Sequence, residues 1–111
     1  MLFKYFHVPL NKYPPKQLRD IHASLSRRLA FVYLLKNENA TAKEFLKTKL
    51  VDFPENSYLW EYLAISEYRL QNQKEALSDI KKAIQFMPGK ETKNIYTSVI
   101  NKKPIDLSTI K

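Results

Sequence analysis

The sequence predicts an all-α fold, two stacked helical hairpins followed by a capping helix, and three observations predict it. Leu29-Ala30, Tyr33, Ala42, Leu46 and Pro54 recur as Leu63-Ala64, Glu67, Ala76, Ile80 and Pro88, each pair separated by 34 residues. A fixed period of that size marks a stacked two-helix unit. The 111-residue chain holds a single Gly, whereas strand-rich and phosphate-cradling folds lean on Gly for their tight turns. Apolar residues also fall at three- and four-residue steps through most of the chain, the spacing that lines one face of a helix. An apolar content of 44% is enough for one modest core, so a single domain is expected.

The elements follow in order. Residues 1–15 carry Pro9, Pro14 and Pro15 behind a cluster of aromatic and aliphatic side chains, and read as an extended leader. Pro15 suits the first position of a helix, where its missing N–H would be unpaired anyway. A domain over 16–102 follows, made of a first repeat at about 23–56, a second at about 57–90 and a capping helix at about 91–102. Leu18, Ile21, Leu25, Leu29, Val32 and Tyr33 predict a helix from Lys16 to about Lys36. Asn37-Glu38-Asn39 breaks it, because short amide side chains compete for backbone hydrogen bonds. Ala42, Phe45, Leu46 and Leu50 mark a second helix from about Ala40 to Val51, closed by Phe53-Pro54. Asn56 or Ser57 caps the third helix, which carries Leu59, Trp60, Leu63, Ala64 and Leu70. Gln71-Asn72-Gln73 repeats the turn, Ala76, Leu77, Ile80, Ala83 and Ile84 form the fourth helix, and Pro88-Gly89 ends it. Ile95, Tyr96, Val99 and Ile100 share one side of a fifth helix from about Glu91 to Asn101. Pro104 stops it, and 103–111 reads as a short polar tail.

Composition narrows the function. The chain has no Cys, hence no disulfide and no thiolate metal site. His7 and His22 lack acidic partners at ligand spacing and read as ordinary histidines, so no metal and no cofactor is expected. There is no Gly-rich phosphate loop, no G-x-S-x-G and no H-E-x-x-H, so the chain does not read as an enzyme. Glu75 and Asp79, with Lys74, Lys81 and Lys82 beside them, read as a solvated face. The net charge of +8 is spread as +3, +2, +1 and +2 over residues 1–22, 23–56, 57–90 and 91–111. Such a spread suits a soluble helical surface as well as a phosphate footprint. The longest charge-free helical run, Leu29 to Leu35, is seven residues, against roughly 20 for a membrane span. With no signal segment in view either, a cytoplasmic protein is expected.

These residues resemble tetratricopeptide repeats. Trp60, Leu63, Ala64, Ala76, Ile80, Ala83 and Pro88 fit the family's W-x2-L-G/A, A-x3-F, A and P spacing, and Leu29, Ala30, Tyr33, Ala42, Leu46 and Pro54 fit it in the first unit. The first unit departs at Ser26, where the family prefers a bulky residue, and at Lys49, where it prefers Ala. The second departs at Glu67, where Tyr is usual, with Tyr68 adjacent. The resemblance covers about 23–90 and implies a right-handed α-α superhelix whose concave face, lined by the first helix of each hairpin, binds an extended peptide or helix. On that face it places Arg27, Phe31, Leu34 and Leu35 from the first repeat and Tyr58, Tyr62, Ile65 and Arg69 from the second. Phe31 stands where the family's carboxylate clamp needs Asn, so recognition of a C-terminal carboxylate is not expected.

The implied function is a protein–protein interaction scaffold or adaptor that takes an apolar segment with an acidic flank. A second reading of the same stripe is burial against the leader or against a twin subunit, because any packed helix shows such spacing. Two repeats are also fewer than the three or so that such stacks need, so self-association is an expectation, with Met1 to Leu10 lying in the groove or across a dimer interface. Two rival functions remain open. Arg27-Arg28, Lys43, Lys47, Lys49, Lys81-Lys82 and Lys102-Lys103 could contact nucleic acid, although Glu44, Asp52, Glu75 and Asp79 dilute them. The aromatic, basic leader could adsorb weakly to an anionic membrane surface, as part of a helical-repeat domain in a larger protein.

Overall fold

The computed structural model describes residues 15–110. They form five α-helices, with no strand among the described residues: α1 Pro15–Leu35, α2 Asn39–Asp52, α3 Ser57–Arg69, α4 Gln73–Phe86 and α5 Lys90–Ile100. A 3₁₀ turn, Leu107–Thr109, follows. Pro15 is the first helical residue, the position its ring favours.

The period of 34 seen in the sequence is repeated by the backbone. After α1 the chain reverses through Asn37 at φ 59°, and after α3 through Gln71 at φ 66°. The Glu38 N–H reaches back to the Tyr33 carbonyl at 2.9 Å, and the Asn72 N–H to the Glu67 carbonyl at 2.8 Å. Each belongs to a Schellman cap, which satisfies carbonyls left open at a helix end and needs one left-handed residue. The same cap ends α5, where Lys102 has φ 57° and the Lys103 N–H bonds the Ser98 carbonyl at 2.9 Å. The second helices α2 and α4 begin and end at equivalent residues, Asn39 with Gln73 and Asp52 with Phe86. Asn56 is the cap of α3, its side chain accepting from the Leu59 N–H at 3.2 Å. Ser57 sits inside the helix and donates instead to the Ala83 carbonyl at 2.8 Å, tying the start of α3 to the last turn of α4.

Successive helices pack against one another, and α3 also touches both α1 and α5. Helix α3 is therefore the central element, with α1 and α5 as neighbours. Ala30, Ala42, Ala64, Ala76 and Ala83 are fully buried, and their small size lets the helices approach closely around Leu34, Leu46, Leu59, Ile65, Ile80 and Val99. Each of those large side chains contributes about 1.5–3 kcal/mol by leaving water.

Two sequence expectations are corrected here. The segment after Pro104 is not simply a polar tail: Leu107 and Ile110 join the core, and the Tyr68 hydroxyl anchors the segment by donating to the Lys103 carbonyl at 2.8 Å. Glu75 and Asp79 do not share a solvated face either, since Glu75 is exposed while Asp79 is half-buried. Burial, with the Glu67 charge nearby, pushes the Asp79 carboxyl up to about 7 despite Lys47 and Lys82. The expected contact of Met1 to Leu10 with the groove lies outside the described residues, as does His7.

Candidate functional site

Helices α1 and α3 meet around an aromatic and arginine cluster. Residues 27 and 31 stand one turn apart on α1, and 58 and 62 one turn apart on α3, so four side chains converge. The Phe31 and Tyr62 rings lie 5.7 Å apart and tilted by 40°. The Arg27 guanidinium sits over the Tyr58 ring at 3.5 Å, and its Nε donates to the Tyr62 hydroxyl at 3.5 Å. Desolvation would lower the Arg27 pKa, but the Tyr62 hydroxyl, Tyr58 and Glu61 outweigh it and hold the group above its ordinary value. Burial raises the Tyr62 pKa, with Arg27 opposing. Arg27 is thus a fixed positive charge with one face on an aromatic ring.

A cavity of about 440 Å³ opens at this cluster, lined by Ser24, Arg27, Arg28, Phe31, Val32 and Tyr62. Tyr62, only 2% exposed, forms its floor, and Val32, 44% exposed, its outer lip. Two arginines over an apolar floor make a pocket for an uncharged side chain that has a carboxylate nearby.

Of the eight residues placed on this face from the sequence, four form the cluster: Arg27, Phe31, Tyr58 and Tyr62. Leu34 and Ile65 lie in the hydrophobic core, with no surface to offer a partner. Leu35 is 60% exposed at the end of α1, away from the cavity. Arg69 is a fastener between hairpins: its Nη1 donates to the Leu34 carbonyl at 2.8 Å and lies 3.5 Å from Asn39 Oδ1. Burial lowers its pKa. The row Ser24, Arg28, Val32 was missed, although its four-residue spacing beside the Arg27–Phe31 row was the available signal.

Beneath the cluster lies a carboxyl pair that the spacing did not announce. Glu61 on α3, 2% exposed, lies beside the Glu91 carboxyl on α5. Burial first, then Glu91, pushes Glu61 up to about 8, against the pull of Arg27. Raised to that value, Glu61 keeps its proton at neutral pH, so the two adjacent carboxyls are not charged together. The protonated pair links the capping helix to the central one.

No family model, curated protein or solved structure matches this chain. What the site can do must be read from its own residues. Among the described residues no helix is long and apolar enough to cross a membrane, and no three His, Asp or Glu side chains converge to hold a metal ion.

Proposed function

We propose that the chain is a tetratricopeptide-like interaction module that holds a peptide or helix of another protein on the side formed by α1 and α3. The single observation that carries this reading is the cavity between Phe31, Val32 and Tyr62 with Arg27 and Arg28 at its edge. Its apolar floor accepts an aliphatic or aromatic anchor, and its arginines favour an acidic neighbour in the ligand. The repetition of the Schellman caps and helix bounds at 34 residues supports a repeat architecture of the tetratricopeptide kind. Binding rather than catalysis fits a site whose titratable groups are an arginine held by tyrosines and a carboxyl pair sealed below them.

The experiment is affinity capture with the full chain, compared with Val32→Glu and Arg28→Glu. Both residues are exposed, so these variants keep the fold while closing the lip and reversing the edge charge. Partners held by the parent and lost by both variants are the expected result. A partner set unchanged in both would reject this face as the binding site. A single-stranded oligonucleotide serves as the counter-ligand, and tight binding that falls steeply with added salt would assign the surface to phosphates instead.

A further inference from the structure

We infer that the outer side of the first hairpin is a socket for one aromatic side chain, presented by an acidic segment of a partner protein. The two hairpins differ where it lies. A cavity of about 340 Å³ opens between α1 and α2, with Leu25, Ser26, Leu29, Phe45, Lys49 and Phe53 in its wall. Ser26 is the counterpart, 34 residues earlier, of Trp60, and Lys49 of Ala83. In the second hairpin the equivalent sequence position carries the Trp60 indole, its Nε1 donating to the Pro54 carbonyl at 2.8 Å and Lys82 Nζ lying 4.7 Å from the centre of its ring. In the first hairpin the side chain shrinks to a hydroxymethyl group, whose hydroxyl donates to the His22 carbonyl at 2.7 Å. A serine where the other hairpin carries an indole leaves room at the wall of this largely apolar hollow. The second hairpin thus shows what chemistry the first would accept.

The rim names the flank. Arg19 stands over the Phe53 ring at 5.0 Å and donates to the Asp52 backbone carbonyl at 2.9 Å, and Lys49 Nζ lies 5.5 Å from the centre of the Phe45 ring. Asp52 also stands in the wall, but among the described residues no carboxylate lies within ion-pair distance of either cation, so the rim carries two positive groups against one negative. An inserted ring would add a further aromatic face to these cations, and carboxylates beside it would pair with them. The charge of the leader argues against self-occupation: residues 1–14 contain Lys4 and Lys12 and no Asp or Glu. Like charges would meet at a basic rim.

The test measures binding of the full chain, by fluorescence anisotropy, to a dye-labelled peptide with one tryptophan between two aspartates on each side. Control peptides replace the tryptophan by alanine, or the aspartates by lysine. Alanine should weaken binding by at least about 30-fold, the scale of a buried anchor. Ser26→Trp, which gives the first hairpin the side chain the second already carries, should abolish binding with the helical circular dichroism unchanged. Lys49→Glu reverses an accessible rim charge, should weaken binding about tenfold or more, and decides the matter if Ser26→Trp does not fold. Val32→Glu, on the other side of α1, should leave this affinity unaltered, so the socket stands or falls separately from the proposed groove. Failure of the parent chain to bind, or equal affinity for the alanine peptide, overturns the inference. Binding that appears only in Phe3→Ser/Phe6→Ser would assign the socket to the leader. A concentration-dependent dimer lost in Ser26→Trp would assign it to a second copy. Either result also overturns it.

Discussion

Hairpin one and hairpin two share a period and a set of helix bounds, yet they bury their first helices to very different degrees. In α3, Ser57, Leu59 and every residue from Glu61 to Glu67 are buried, including two acids. In the longer α1 only Leu25, Ser26, Ala30 and Leu34 are. The cause is position in the stack. α3 packs on α1, α2, α4 and α5, whereas among the described residues α1 packs chiefly on α2 and α3. Repeats alike in sequence spacing are therefore unlike in energetic weight, because each unit is stabilised by the interfaces it shares.

That difference has consequences a mutation series can test. The largest effect is expected from Leu63→Ala, which empties a site only 3% exposed and should cost about 3–4 kcal/mol in urea unfolding. Its counterpart Leu29→Ala, at a half-buried position, should cost about 1–1.5 kcal/mol. Equal losses would break the comparison outright.

The buried acid gives the second hairpin a pH signature. Glu61 is raised from 4.5 to about 8 in the fold, so the folded protein binds more protons than the unfolded chain between those values. Its contribution is fully present below pH 4.5 and is lost as pH rises toward 8. Asp79, raised from 3.8 to about 7, acts in the same direction over a lower window. Glu61→Gln should therefore stabilise the protein by roughly 1–3 kcal/mol at pH 8, and flatten the fall between pH 7 and 8. Thermal melts across pH 5–8 would show it, and a parent chain equally stable at both ends would contradict the protonated pair. The counterpart of Glu61 in hairpin one is Arg27, which supplies no such dependence.

A smaller effect concerns the tie between the hairpins. Arg69→Ala removes the donor to the Leu34 carbonyl and should cost about 1–2 kcal/mol. Leu35→Ala, at the equivalent but exposed position, should change stability by under about 0.5 kcal/mol. The smallest effects sharpen the comparison at the turns. Gln71→Gly should stabilise by about 0.5–1 kcal/mol, since a glutamine at φ 66° is strained where glycine is not. Asn37→Gly should gain only a few tenths, because asparagine tolerates the left-handed region and Asn37 Oδ1 accepts from Asn39 Nδ2 at 3.0 Å. A larger gain at 37 than at 71 would reverse that ranking.

The departures from the repeat pattern proved the most instructive residues. Glu67 occupies the place of Tyr33, whose ring packs edge-on to Phe45 at 5.7 Å. The carboxylate is accommodated there because Lys43 on α2 approaches it at 3.4 Å and the Asn72 amide donates to it at 2.8 Å. Neither partner follows from helical spacing. Ser26 and Lys49 were legible as departures, but only the packed hairpin turned them into a hollow with a basic rim.

By itself the sequence determined the helices, their order, the period of 34 and the small residues at the close approaches, since these follow from local spacing and backbone chemistry. Half of the stripe assigned to binding, Arg27, Phe31, Tyr58 and Tyr62, was legible for the same reason. Only the tertiary structure decided that Leu34 and Ile65 turn inward, that Arg69 fastens two hairpins, that Glu61 meets Glu91, and that Leu107 and Ile110 close the core. A period of 3.6 residues tells which side chains share a face, whereas burial and protonation depend on what that face meets, and the neighbour comes from chain dozens of residues away.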